Sequence, residues 1–303
     1  FVRSRSGKDV VPGGVEVSAG GYVNDLLKAI TAAKPKYYPE RQRLTLPPDN
    51  AESRGRVLLV GKKLSDYELS YGSVVYFKDL GPQIGYKTVF FWEYLGPLLV
   101  YPLFYFYPEF VYPWNSEPVQ RNMVQSLACG YWTFHFLKRI VETFTVHHFS
   151  HATMPLGNLF KNCSYYWGFA AFVSYFVNHP LYTPPPLLRC RLALAAGLLL
   201  QLSNLYCHII LRNLRPRGSK EYKIPKGFLF EYVTCANYTT EIYGWLAFNL
   251  ATQTLAGVLY MCCGAGQMAL WAMSKHKRLT KLFDGRDGRA KYPRRWIILP
   301  PFL

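Results

Sequence analysis

Residues 242–274, IYGWLAFNLATQTLAGVLYMCCGAGQMALWAMS, run for 33 positions without Asp, Glu, Lys or Arg. A helix of about 20 apolar residues crosses the hydrocarbon core of a bilayer, so this run has room for two passes, with the break expected near Gly257 or Gly264. Two more uncharged runs flank it upstream, Asn162–Leu188 (27 residues) and Leu192–Leu211 (20 residues). Half of the chain is hydrophobic, yet its formal charge is +17; that combination describes a membrane protein with basic aqueous faces better than a soluble domain. The 24 Tyr and 7 Trp fit side chains that gather at membrane interfaces, and equally a large aromatic core.

Working outward, Thr88–Tyr107 carries a single charge, Glu93, and reads as a first span. Asn122–Val146 reads as a second, with Lys138, Arg139 and Glu142 near its end, followed by Tyr165–Val177, Leu192–Leu211 and the two passes of 242–274. The expected fold is a multi-pass α-helical membrane protein of about six or seven transmembrane helices over residues 81–303. Lys and Arg accumulate in the N-terminal region, in 212–226 and in 275–295. That bias places all three in the cytosol, and both termini on one side require an even number of spans.

Residues 1–80 differ in kind. A strand at Val15–Val17, a helix over Tyr22–Ala33 stopped by Pro35, and strands at Arg41–Leu46, Val57–Val60 and Val74–Phe77 suggest a small β-grasp that resembles a ubiquitin-like domain; an unspecific α+β module fits the same pattern. Phe1–Gly14 lacks the apolar run of a cleaved signal, and since the first methionine is Met123 the natural chain is expected to begin further upstream. Seven cysteines show no paired C-x-x-C spacing and read as reduced packing residues.

The chemistry points to Leu211–Trp245, LRNLRPRGSKEYKIPKGFLFEYVTCANYTTEIYGW. Arg212, Arg215, Arg217, Lys220 and Lys223 offer donors to an anion, and phosphate suits them best. Asn204, His208, Arg212 and Arg215 share one face at the end of an apolar helix, either as a snorkelling interface or as one wall of a ligand site. Tyr222, Asn237, Tyr238 and Glu241 downstream favour the wall, because Asn, Arg and Glu together suit the amide, phosphates and ribose of a nicotinamide dinucleotide. No Gly-x-Gly-x-x-Gly follows a strand, so a Rossmann site is excluded. Glu93 is an intramembrane carboxylate or an interfacial one near a span end. His147, His148 and His151 invite a di-iron reading, but the other four histidines are scattered singly, and no metal site is expected. The basic charges cluster at span ends, where lipid head groups and nucleotide phosphates are adequate partners, so no nucleic acid is expected.

Longer motifs carry a resemblance. Leu-Arg-x-Leu-Arg, Tyr-Lys-Ile-Pro-x-Gly, Leu-Phe-Glu-Tyr-Val, Cys-x-Asn-Tyr-x-x-Glu and the terminal Ile-Leu-Pro-Pro-Phe-Leu resemble the C-terminal domain of the steroid 5-alpha-reductase family. Lys-Asp-Leu-Gly-Pro-Gln at 78–83, Glu-Tyr-Leu-Gly-Pro at 93–97, Lys-Arg-Ile-Val-Glu-Thr at 138–143, Val-His-His-Phe-Ser-His-Ala-Thr-Met-Pro at 146–155 and Asn-His-Pro-Leu-Tyr-Thr-Pro-Pro at 178–185 resemble its very-long-chain trans-2-enoyl-CoA reductase branch. That branch carries an N-terminal ubiquitin-like domain.

The resemblance implies a multi-pass enzyme of the endoplasmic reticulum that completes each cycle of fatty acid elongation, taking hydride from NADPH to C3 of a long-chain trans-2-enoyl-CoA. Its implied partners are the elongase, the 3-ketoacyl-CoA reductase and the 3-hydroxyacyl-CoA dehydratase. It places the cofactor at Asn204, Arg212, Arg215, Tyr222, Asn237, Glu241 and His276, sets Gln83 and Glu93 near the substrate head group, and makes Tyr238 the tyrosine associated with activity. Hydride addition builds enolate charge on the thioester oxygen, so a donor there and an acid near C2 are needed. Phe136, Leu279 and His208 depart from residues that relatives often carry, two tyrosines and an acid. A sterol or polyprenol double-bond reductase, or a catalytically silent scaffold of the elongation machinery, remains open on the sequence alone.

Overall fold

In the N-terminal region, β-branched and aromatic positions pair into a three-stranded sheet. Its strand β1 (Val2–Ser4) runs parallel to β3 (Val75–Asp79), and β2 (Gln42–Thr45) runs antiparallel to β3 on the other side. Helix α1 (Val23–Ala33) buries Val23, Leu26, Leu27 and Ile30, the i, i+3, i+4, i+7 face. Asp25 accepts from the Tyr22 backbone N–H at 2.8 Å at its start. These side chains meet Val2, Leu44, Val75 and Phe77 in one core. Strand β1 was not anticipated from the sequence: its three residues are too few for a period, and it is held by a turn in which Val10 N donates to Val2 O at 2.8 Å. The expected strand at Val15–Val17 does not form. Val15 and Val17 pack against the core from irregular backbone, and Val57–Val60 contributes a single bridge to Thr45.

This region belongs to one of two compact units of a computed structural model that describes residues 1–48, 55–115, 118–149, 152–214 and 222–303. The first unit comprises Phe1–Gly85 with Thr153–Asn158, the second Tyr86–Ala152 with Leu159–Leu303. An antiparallel pair, β4 (Gln83–Gly85) and β5 (Thr153–Pro155), completes the first unit.

The second unit is helical: α2 (Tyr86–Phe106), the short α3 (Pro108–Val111), α4 (Met123–Thr145), α5 (Gly157–Val177), α6 (Leu187–Asn213), α7 (Ala236–Thr252) and α8 (Leu255–Leu282). Among the described residues three of these, α2, α6 and α8, are long and apolar enough to cross a membrane. Helix α4 starts on a reciprocal cap in which Asn122 Oδ1 accepts from Gln125 N and Gln125 Oε1 accepts from Asn122 N. The 242–274 run breaks at Gln253, in the left-handed region at φ 51°, and Thr254 then caps α8 by accepting from Gly257 N at 3.3 Å. The break therefore falls before Gly257. That glycine instead allows close approach, since a Cβ there would lie 2.3 Å from Asn249 Oδ1. Helices α5 and α6 also begin earlier than expected, because Lys161, Arg189 and Arg191 are exposed in their first turns and cost little there.

Helix α6 packs along α7, α2 along α4, and α7 also against α8. Trp132, Phe136, Trp245, Phe248 and Tyr260 form the aromatic centre of this core. Gly96 admits Trp167, whose indole N–H donates to Trp92 O at 2.9 Å. The C-terminal tail braces the start of α7. Thr234 N donates to Trp296 O at 2.8 Å and Cys235 N to Ile297 O at 3.1 Å, while Ile298 is buried with Cys235, Ile242 and Ala272. The packing role expected of the cysteines holds for Cys129, Cys190, Cys207 and Cys235; Cys262 and Cys263 are exposed on α8.

Candidate active site

Four residues of α4, His135, Lys138, Arg139 and Glu142, recur at i, i+3, i+4, i+7 and so lie on one face. All four are inside the second unit. Glu142, 1% exposed, accepts from Lys138 Nζ at 3.0 Å and Arg139 Nη1 at 2.7 Å, and its second oxygen lies 3.2 Å from His208 Nδ1. Lys138 Nζ also donates to Asn204 Oδ1 at 2.7 Å, and Asn204 Nδ2 donates to the Asn237 carbonyl at 2.8 Å. Arg139 Nη2 donates to the Tyr94 hydroxyl at 3.0 Å. The chain of contacts thus links α2, α4, α6 and α7 through satisfied charges, the condition under which buried ions are tolerated.

This network backs a cavity of about 800 Å³ within the second unit, a volume typical of ligand sites. Glu93 and Tyr94 line it from α2; Asn237, Tyr238 and Glu241 from the first turns of α7. Glu93, 2% exposed, accepts from Asn162 Nδ2 at 2.7 Å. Glu241 Oε1 lies 3.3 Å from His135 Nε2 and 3.4 Å from the Trp245 indole nitrogen. Asn237 Oδ1 is buried and has no partner among the described residues, although such atoms are nearly always bonded. The Tyr238 hydroxyl makes no hydrogen bond among the described residues, and its ring sits 6.3 Å from Trp271.

The rim is cationic. Arg212, Lys223, Lys275 and Arg278 line the cavity, and Arg278 Nη1 donates to the Tyr222 hydroxyl at 2.9 Å. Inside, Lys138 and Arg139 are matched by Glu142 and Glu241; at the rim Arg212, Lys275 and Arg278 have no carboxylate partner among the described residues, so the opening is suited to an anion. The donor atoms of Glu142, His147 and His208 lie within 4.8 Å of one another, close enough to hold a metal. Arg139 and Lys138 already occupy Glu142, however, and a cation there would meet both. Burial, with the Arg139 charge second, pushes the His147 imidazole down to about 3, and its Nε2 is buried without a partner among the described residues.

The expected site residues are therefore brought together in part. Glu93, Arg212, Tyr222, Asn237, Tyr238 and Glu241 line one cavity. Asn204 stands one layer behind, bonded to Lys138 and to α7. His276 faces Thr234, with Nδ1 2.7 Å from Oγ1. Gln83 belongs to the first unit, where its amide nitrogen donates to Leu80 O and Gly81 O at 3.1 and 3.2 Å and its oxygen accepts from Thr153. Arg215 and His151 lie outside the described residues. Phe136 is fully buried against Trp132, Tyr94 and Tyr166; Leu279 does line the cavity. The α4 residues were missed as a site, and the signal for them was present: charged and polar side chains at helical spacing within an apolar span.

Comparison with known proteins gives the relatives of this sequence. Residues 152–303 match the family model for 3-oxo-5-alpha-steroid 4-dehydrogenase. Over 100% of this chain and 98% of the relative, the sequence is 46% identical to a very-long-chain enoyl-CoA reductase of Dictyostelium discoideum. It is 43% identical, over 95% of this chain and 92% of the relative, to a probable very-long-chain enoyl-CoA reductase of Caenorhabditis elegans. A trans-2,3-enoyl-CoA reductase-like protein of Homo sapiens is 34% identical over 95% of this chain and 78% of its own length.

Proposed function

We propose that this chain, which belongs to the very-long-chain enoyl-CoA reductases within the 3-oxo-5-alpha-steroid 4-dehydrogenase family, reduces the trans-2 double bond of long-chain enoyl-CoA thioesters with NADPH. One observation carries the reading: a cavity that joins a cationic rim to the Asn237 amide oxygen, buried without a partner among the described residues, and to the Tyr238 hydroxyl beside it on the first turn of α7.

The residues fit a nicotinamide dinucleotide. Arg212, Lys223, Lys275 and Arg278, with Tyr222, suit its phosphates, and the orphaned Asn237 Oδ1 suits an amide N–H donor such as a carboxamide. When bound, NADPH would supply the hydride that adds to C3; the resulting enolate takes a proton at C2, for which the Glu93 carboxyl is the buried acid facing the cavity, reprotonated from solvent. What the chain supplies is polar placement: Tyr238 donates to the thioester oxygen as enolate charge builds there, Glu93 and Asn162 form a polar pair for the thioester end, and Arg139 fixes the Tyr94 hydroxyl as a second donor into the cavity. His276 supports this wall through Thr234. Gln83, bonded within its own unit, is given no step. A cofactor of 2′-phosphate type accords with the excess of rim cations.

The reading takes six helices, α2 and α4 to α8, as spans of the endoplasmic reticulum membrane with both termini cytosolic; the uncharged run lengths and the excess of Lys and Arg outside them support it. The mixed sheet of the first unit, wrapped on one helix, supports the ubiquitin-like reading of residues 1–80. A trans-2-enoyl thioester arises by dehydration of a 3-hydroxyacyl thioester, so a dehydratase is the natural neighbour, with the elongase and the 3-ketoacyl-CoA reductase before it. The test is NADPH oxidation by membranes holding the chain. It is expected only when a long-chain trans-2-enoyl-CoA is added, with the saturated acyl-CoA as product. Silence with every chain length, or turnover of a sterol or polyprenol instead, would overturn the reading.

A further inference from the structure

Behind the cavity, Tyr131 of α4 and Gln201 of α6 are 4% and 3% exposed. Neither is among the residues that line the cavity, yet their polar atoms meet in the core. Two glycines make room for them. A Cβ on Gly197 of α6 would lie 3.0 Å from the Tyr131 hydroxyl, and one on Gly244 of α7 would lie 3.3 Å from that hydroxyl and 3.6 Å from Gln201 Nε2. The protons here are fixed one after another. The Tyr131 hydroxyl donates to the Gly244 carbonyl at 3.0 Å, and a carbonyl only accepts. With its one proton used, the hydroxyl oxygen accepts from Gln201 Nε2 at 3.2 Å. The same amide nitrogen stands 2.7 Å from His135 Nδ1, so Nδ1 accepts and the imidazole proton sits on Nε2. That Nε2 lies 3.3 Å from Glu241 Oε1, and the Trp245 indole N–H reaches the same oxygen at 3.4 Å. The opposite amide orientation would set the Gln201 carbonyl against a hydroxyl with no proton left for it. Gln201 Oε1 is instead buried without a partner among the described residues, a cost that the bonds of Nε2 offset.

We propose that Tyr131 and Gln201 are positioning residues for the cofactor: through His135 they tie one oxygen of Glu241 to the wall and leave the other as an acceptor for an O–H or N–H donor on the nicotinamide half of the bound dinucleotide. The proposal deepens the reductase reading and rests on it for the identity of the ligand. Glu241 lines the cavity, and its Oε2 makes no hydrogen bond among the described residues. It stands one turn beyond Asn237, on the same face of α7, so the two acceptors suit neighbouring donors of one ligand. A glutamate free to turn would lose that freedom when the cofactor binds; tying one oxygen beforehand removes the loss.

The experiment uses the full chain in nanodiscs and reads NADPH affinity by tryptophan quenching. Gln201→Leu is expected to weaken NADPH roughly three- to tenfold, and Tyr131→Phe in the same direction by less, with KM for the enoyl-CoA unchanged. In a Glu241→Ala background the same two substitutions should each change affinity by less than about twofold, because the group they act through is gone. Equal losses in both backgrounds would make the two residues merely structural and overturn the proposal, and so would unchanged affinity in both single variants. A second arm needs neither cofactor nor a variant of the seat. Nitrogen NMR of protein with isotope-labelled histidine, with His135→Asn used only to identify the signal, is expected to show Nδ1 bare and Nε2 protonated. A proton on Nδ1 would overturn the proposal at its source. A wild type that binds no NADPH sinks the reductase reading instead, and the spectra still decide the order of the protons.

Discussion

Replacing Glu142 by Gln tests whether the buried network holds the site together. The carboxylate is 1% exposed and accepts from Lys138 at 3.0 Å and Arg139 at 2.7 Å, with His208 at 3.2 Å. The amide keeps the shape and one acceptor but removes the only negative charge in direct contact with both cations among the described residues. Breaking a buried pair in this way costs about 3–5 kcal/mol. For a unit of this size, each kcal/mol corresponds to roughly 2–4 °C in melting temperature, so a fall on the order of 6–20 °C is expected in detergent-solubilised protein, followed by tryptophan fluorescence. Lys138→Met added to Glu142→Gln removes one charge of each sign and should recover much of the loss, leaving Arg139 opposite Glu241. The single variant should also lower kcat more than it raises KM for NADPH, because Arg139 loses the partner that aims it at Tyr94. A melting temperature within about 2 °C of wild type, equivalent to under 1 kcal/mol, would refute the argument, and so would a double variant no better than the single one.

Other outcomes follow from the same geometry. Tyr238→Phe should lower kcat by about 10²–10³-fold while NADPH binding, read by tryptophan quenching, stays unchanged; full activity would remove Tyr238 from the chemistry. Arg278→Gln should weaken NADPH by about ten- to a hundredfold, the loss of a charge-assisted bond of roughly 1.5–3 kcal/mol, and flatten the salt dependence of binding; a salt slope equal to wild type would place the phosphates elsewhere. In the first unit, the hydrogen bond from Arg41 holds the Asp79 carboxyl below its usual value. Its contribution is therefore present above an ordinary aspartate pKa of about 3.9 and is lost as pH falls through the lowered folded value. Asp79→Asn should remove that acid-limb dependence and leave stability near neutral pH slightly reduced; an unchanged acid limb, followed by hydrogen exchange of the β2–β3 amides, would deny the pair its role.

Part of the site is legible in the sequence. Arg212, Tyr222, Asn237, Tyr238 and Glu241 share one cavity because they are close along the chain and the start of α7 presents i, i+1 and i+4 together. Asn204 and His276 are expected at the cofactor but stand behind the wall, bonded to Lys138 and Thr234; one polar residue on a helix face does not reveal whether its tip reaches a cavity or a neighbour. Gln83 is hydrogen-bonded to Leu80 and Gly81, three and two residues away, and to Thr153 across the β4–β5 pair, contacts that its spacing in the sequence does not announce.

The membrane character, the helical runs and the basic rim follow from the sequence by itself, since they depend on the length of uncharged segments and the local density of Lys and Arg, which need no neighbours to be read. Tertiary structure alone decided the rest. It matched Glu142 and Glu241 against Lys138 and Arg139, left Asn237 Oδ1 without a partner among the described residues, and brought Tyr165 of α5 against Tyr260 and Gly264 of α8. Each of these is a relation between helices far apart in the chain. Pairing of buried charges is fixed by packing distances of a few ångström, to which no local pattern is sensitive.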